Sequence, residues 1–247
     1  MPGVVPAVEG IALARRVAVL VVAVAVPAAA AGGGSAGRAW DNCTPQQGDL
    51  RFQASDGTRL VGHKFGSGRV AVVLAHESRG WLCDWVPYAK RLAARGYLAF
   101  PFDFRGYGDS QMHPVSNVRL DRDVAAAAKT LRGLGAKKVF LVGASIGGSA
   151  VIHAAADVRP LVNGVVSVSG AADLVDATPA AKRLHVPALF IAGRYDLDFA
   201  ANARRLYSAT PAKDKKVVIV ASGEHGTRLV AAEAKVRTAI ETFLGSH

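Results

Sequence analysis

Residues 139–148, Val-Phe-Leu-Val-Gly-Ala-Ser-Ile-Gly-Gly, constrain this chain more than any other stretch. The apolar run at its start reads as a buried strand. It passes through Gly143-Ala144-Ser145-Ile146-Gly147 into a small-residue segment of helical character that reaches about residue 158. A strand that becomes a helix within so few residues needs a sharp, strained turn. Glycines beside the apex leave room only for hydrogen where strand and helix crowd each other. Ser145 stands at that apex as a candidate nucleophile. Taken alone, the same residues also describe a Gly/Ser-rich turn without chemistry, so the rest of the chain has to decide.

The surroundings alternate between strand and helix. Residues 50–54 and 59–65 read as an antiparallel entry hairpin around Ser55-Asp56-Gly57-Thr58. Strands follow at 69–75, 97–104, 161–169, 188–193 and 216–221, with helices at 84–95, 118–134, 178–184, 199–208 and 227–244. Dense β-branched runs such as 69–75 suit strands buried on both faces, which implies a mostly parallel sheet of eight strands covered by helices on both sides. With 247 residues and 51% apolar composition the chain can bury a sizeable core, and no repeat or second domain appears within residues 49–247.

Charge and the N-terminus bear on partners and location. Thirty Lys and Arg against nineteen Asp and Glu give a net charge of +11. The basic residues are scattered, with no basic run interleaved with aromatics, so they describe a solvated surface rather than a nucleic-acid site. Arg15 and Arg16 precede an apolar segment from 17 to about 31, followed by Gly32-Gly33-Gly34-Ser35. This pattern predicts a signal peptide over 1–31 and a linker over 32–48, with an uncleaved anchor as the alternative. Export makes a disulfide between the two cysteines, Cys43 and Cys83, a reasonable expectation; two unrelated thiols are the other reading.

In open α/β sheets reactive groups gather at the carboxyl ends of the strands. Asp196 follows the strand at 188–193, and His225 follows the last strand in Ser222-Gly223-Glu224-His225-Gly226. A serine needs an imidazole to take its proton, and the imidazole needs a carboxylate to fix its tautomer. Asp198 and Asp173 are rival carboxylates. His63, His76, His113, His153 and His185 are read as structural or surface residues.

With Ser145, Asp196 and His225 in that order, the chain resembles the α/β-hydrolase superfamily over about 50–245. The resemblance implies an α/β-hydrolase fold, with the loop Asp103-x-Arg105-Gly106-x-Gly108-x-Ser110 in a structural role. His76-Glu77-Ser78-Arg79-Gly80 stands where the superfamily carries its oxyanion loop, which implies an oxyanion hole made by the backbone N–H groups of Ser78 and Ile146. Glu77 in place of the usual glycine is similar to dienelactone hydrolases, although those use a cysteine nucleophile.

The expected activity is therefore that of an exported serine esterase working through an acyl-enzyme, with no metal or organic cofactor implied. Cleavage of amides, or a binding protein that retains the fold, are the alternatives. The interval 170–187 is too short for a lid domain. An open site is expected, with Glu77 and Arg79 at a charged entrance, Trp81 and Trp85 over Ser145, and a small soluble ester as the partner.

Overall fold

The computed structural model describes residues 49–112 and 119–247. The expected leader and linker, His113 and Cys43, and with Cys43 the expected pairing to Cys83, lie outside the described residues. The described residues all belong to one compact unit.

The described residues form one eight-stranded sheet: β1 (Asp49–Gln53), β2 (Arg59–His63), β3 (Val70–Ala75), β4 (Leu98–Asp103), β5 (Lys138–Ala144), β6 (Gly164–Val168), β7 (Ala188–Gly193) and β8 (Lys215–Val220). Their order is β1-β2-β4-β3-β5-β6-β7-β8. The β1–β2 and β2–β4 pairs are antiparallel and every other pair is parallel. After β3 the chain places β4 on one side of it and β5 on the other. Successive crossovers therefore diverge at the β3/β5 carboxyl ends, where a doubly wound sheet leaves its crevice.

Strand alternation divides the core in two. Ala71, Val73 and Ala75 of β3 face α2 (Leu120–Gly133), α3 (Ile146–Asp157), α4 (Ala177–Ala181) and α5 (Phe199–Ala209). Val72 and Leu74 face α1 (Val86–Ala93), α6 (Gly226–Ala232) and α7 (Ala234–Ser246). This period of two is what a strand buried on both faces requires. Among the described residues no large cap covers the sheet; between β6 and β7 there is only loop and the five residues of α4.

Two helix boundaries depart from the sequence reading. The helix expected over 84–95 is a 3₁₀ turn, Leu82–Trp85, followed by α1, with Pro87 in the first α-helical turn. Proline suits that turn because its missing N–H has no intrahelical acceptor there. The helix expected over 227–244 breaks at Glu233, whose backbone is extended at φ −100° and ψ 108°. At helical spacing, Glu233 would occupy the inward position between the buried Leu229 and Val236. The break spares that carboxylate the core, and the Arg237 guanidinium donates to the carbonyls of Val230 (2.8 Å) and Ala231 (2.6 Å) at the end of α6.

The loop after β4 is architectural. Asp103 accepts from the Leu82 N–H (2.8 Å) and the Asp109 N–H (3.2 Å), and burial pushes its carboxyl up to about 6. Arg105 is buried between Asp123 (2.7 Å) and Asp56 (2.9 Å), tying the β1–β2 turn to α2.

Candidate active site

Ser145 is held by the geometry of its turn. It sits at φ 52° and ψ −119°, a backbone state that non-glycine residues rarely adopt. The flanking glycines are required by contact. A Cβ on Gly147 would lie 2.4 Å from the His76 carbonyl oxygen and 2.5 Å from that of Ala75, and one on Gly143 would lie 2.2 Å from the Gly147 carbonyl oxygen. The turn is thus pressed directly against the end of β3.

That contact brings the β3 loop beside the serine. The Glu77 carbonyl accepts from the Gly80 N–H (3.1 Å) and is also 2.8 Å from His76 Nδ1. The Phe104 N–H donates to His76 Nε2 (3.1 Å), so the imidazole proton lies on Nδ1 and is given to Glu77. Two donors therefore fix the Glu77–Ser78 peptide plane, and in a trans peptide the Ser78 N–H points opposite to the carbonyl they hold. Ile146 is the first residue of α3, where an N–H has no intrahelical acceptor. Among the described residues, neither the Ser78 nor the Ile146 N–H finds a hydrogen-bond acceptor.

His76 is buried, and burial pushes its imidazole down to about 4. Both ring nitrogens serve the backbone, which gives His76 a structural part. Its preference for the neutral form contributes stability that is complete above pH 6.5 and is lost as pH falls through 4. The imidazole resonances of His76 should accordingly titrate near pH 4 by NMR; a midpoint near 6.5 would contradict this packing.

Asp196 and His225 meet at the other side of the turn. His225 Nδ1 lies 2.8 Å from Asp196 Oδ2 and 3.0 Å from Oδ1, which fixes the proton on Nδ1 and leaves Nε2 with a free lone pair. The Phe199 ring packs against the imidazole at 4.3 Å between centroids. Gly226 follows at φ 56°, and a Cβ there would fall 1.7 Å from Glu77 Oε2 and 3.5 Å from the Ala144 Cβ. The residue after His225 is therefore packed against the residue before Ser145. Of the rival carboxylates, Asp173 pairs with Arg205 (2.9 Å) and Asp198 is exposed at the start of α5.

Glu77 has a second use besides lining the entrance. Its carboxylate accepts from the Thr227 hydroxyl (2.7 Å) and N–H (3.3 Å), tying the β3 loop to the His225 loop. Glu77, Ser78, Arg79, Gly80, His225 and Arg228 surround a cleft of about 400 Å³. Arg79 is exposed at φ 63°, and Trp81 is 37% exposed. Trp85, expected over Ser145, is instead fully buried among Tyr88 and Leu92 in the α1 core, because the 3₁₀ turn directs it inward.

Sequence reasoning missed Ser169 and Thr227. Ser169 is the first residue beyond β6, and its position at a strand's carboxyl end was the available signal.

Residues 66–244 match the family model described as Alpha/beta hydrolase family. Among curated proteins, the Escherichia coli K12 protein YfhR, described as uncharacterized, is 30% identical over 113 residues, 42% of this chain. The chain thus matches only 39% of that relative's length. Among solved structures, the Pyrococcus furiosus esterase Pf2001 has a TM-score of 0.69 at 17% identity, covering 84% of this chain and 95% of its own. An enol-lactonase from Burkholderia xenovorans LB400 has a TM-score of 0.67 at 18% identity, covering 79% of this chain and 100% of its own. A thermophilic esterase from Thermogutta terrifontis has a TM-score of 0.67 at 16% identity, covering 81% of this chain and 99% of its own. At these identities the likeness is one of fold.

Proposed function

Because this chain belongs to the alpha/beta hydrolase family, we propose that it is a serine hydrolase cleaving small or short-chain esters, with Ser145 as nucleophile, His225 as general base and acid, and Asp196 as orienter. The observation that carries the reading is the Asp196–His225 pair at 2.8 Å, packed through Gly226 against the Ser145 turn.

Ser145 Oγ attacks the ester carbonyl carbon as its proton passes to His225 Nε2. The carbonyl oxygen gains the negative charge and takes hydrogen bonds from the Ser78 and Ile146 N–H groups. Collapse breaks the bond to the leaving alcohol, which takes the proton from Nε2 and departs. Water then gives a proton to Nε2 and attacks the acyl carbon, and the second collapse returns the proton to Ser145 Oγ and frees the acid. Asp196 holds the imidazole tautomer and stabilises its cation throughout.

The cleft lining favours small substrates. It is formed largely by polar and charged residues, with Arg79 and Arg228 at its edge. A buried methylene contributes about 0.8 kcal/mol only where an apolar pocket receives it. Across p-nitrophenyl esters from acetate to palmitate, kcat/KM should be highest for the short chains. A monotonic rise towards palmitate would refute the open-site reading. The esterase and enol-lactonase names of the similar structures agree with ester cleavage. Amide cleavage would use the same groups, and peptide substrates in the same panel separate it; a wholly inert protein would point to a binding role.

Export belongs to the same proposal, with a leader removed before about Gly32, no stable membrane insertion afterwards, and a Cys43–Cys83 disulfide. Among the described residues no helix is long and apolar enough to cross a membrane. Protein purified from its native host should begin after the leader and show no free thiol when unfolded without reductant. An intact Met1 in membrane-bound material would overturn the cleavage reading, and two free thiols the disulfide.

A further inference from the structure

We propose that Ser169 is a positioning residue that orients the Asp196 carboxylate toward His225, an inference that rests on the triad reading above. Ser169 is completely buried immediately after β6. Its N–H donates to the Ile191 carbonyl (2.7 Å), so its main chain still follows the β6–β7 ladder. Its φ is nevertheless 47°, in the left-handed region that glycine enters without steric cost. A serine at such a position keeps a hydroxyl where the backbone would favour none, and the surroundings show what that hydroxyl meets.

The Gly226 N–H lies 3.2 Å from Ser169 Oγ. A backbone N–H can only donate, so Oγ accepts there and its single proton is left for Asp196 Oδ2, 2.8 Å away. The same Oδ2 receives His225 Nδ1 at 2.8 Å. The result is a directed chain, Gly226 N–H to Ser169 Oγ–H to Asp196 Oδ2, that closes on His225 from both ends. It fixes the carboxylate's rotation, and it also fixes Gly226, the residue packed against Ala144 beside Ser145. Among the described residues, His225 and Ser169 are the only side chains that donate to the Asp196 carboxylate. Without Ser169 the carboxylate loses its second restraint, and the buried Gly226 N–H loses its acceptor.

Ser169→Ala and Ser169→Gly test this together. Both remove the hydroxyl, whereas glycine also relieves the positive φ, so a purely structural part for Ser169 predicts that glycine is tolerated. A hydrogen bond to a charged group corresponds to roughly 10- to 100-fold in rate. Both variants should lose kcat on p-nitrophenyl acetate by about that factor while KM changes little. The downfield proton resonance of the His225 Nδ1–H, assigned by its absence in His225→Gln, should shift or broaden in both. Wild-type kcat and an unmoved resonance in either variant would overturn the proposal. So would a loss of kcat with the resonance unmoved. Asp196→Asn assayed in parallel separates the two readings: if it keeps wild-type activity the triad assignment fails, and if it is inactive while Ser169→Gly is unimpaired, only the part given to Ser169 fails.

Discussion

Ser145→Ala is expected to lower kcat for a short-chain ester by on the order of a millionfold, with thermal stability and substrate affinity little changed. The hydroxyl is the only group of Ser145 that forms a bond in the proposed reaction. Alanine can take the same backbone position, and Gly143 and Gly147 still set the fit of the turn against β3. Without Oγ there is no acyl-enzyme, and the residual rate is that of water attacking a carbonyl held by the Ser78 and Ile146 N–H groups. Purified Ser145→Ala protein, assayed above the detection limit set by contaminating esterases, checks this. Retention of even a tenth of the wild-type kcat would remove Ser145 from the reaction.

Asp196→Asn should lower kcat by roughly ten-thousandfold with the fold intact. An asparagine is nearly the same size but brings an NH₂ donor. Turned toward His225, it would take the lone pair of Nδ1 and drive the proton onto Nε2, the atom that must accept the proton of Ser145. Asp198→Asn is the internal control. Asp198 is exposed at the head of α5 and its side chain makes no capping bond, so kcat should stay within roughly twofold of wild type. The opposite ranking of the two variants would show that the wrong carboxylate has been assigned.

Much of the fold was legible because local chemistry dictates it. The β-branched run of β3 and the apolar run of β5 suit strands buried on both faces, and Gly143-Ala144-Ser145-Ile146-Gly147 could turn sharply only with glycine where backbones meet. The candidate site residues were legible through position, since each stands just beyond a strand's carboxyl end. What escaped depends on contacts distant in sequence. The break at Glu233 follows from which face of α6 and α7 meets the sheet, and the burial of Trp85 follows from a 3₁₀ turn that Asp103 fixes at Leu82. The bond between Ser169 and Asp196 spans residues that no local pattern links. Nor did the sequence reveal that Glu77 reaches Thr227, because its departure from glycine suggested only a similarity to dienelactone hydrolases and its place beside Arg79 a charged entrance.

Covalent labelling tests the assignment of Ser145 most directly. Incubation of the wild-type protein with a fluorophosphonate should add one phosphonyl group per chain, with loss of fluoride, and peptide mapping should place it on the Ser145 side chain. His225→Ala should slow the labelling severely, since Oγ would then lack the base that takes its proton. An adduct on any other residue, or full esterase activity in protein that carries no adduct after exhaustive treatment, would contradict the assignment of Ser145 as nucleophile.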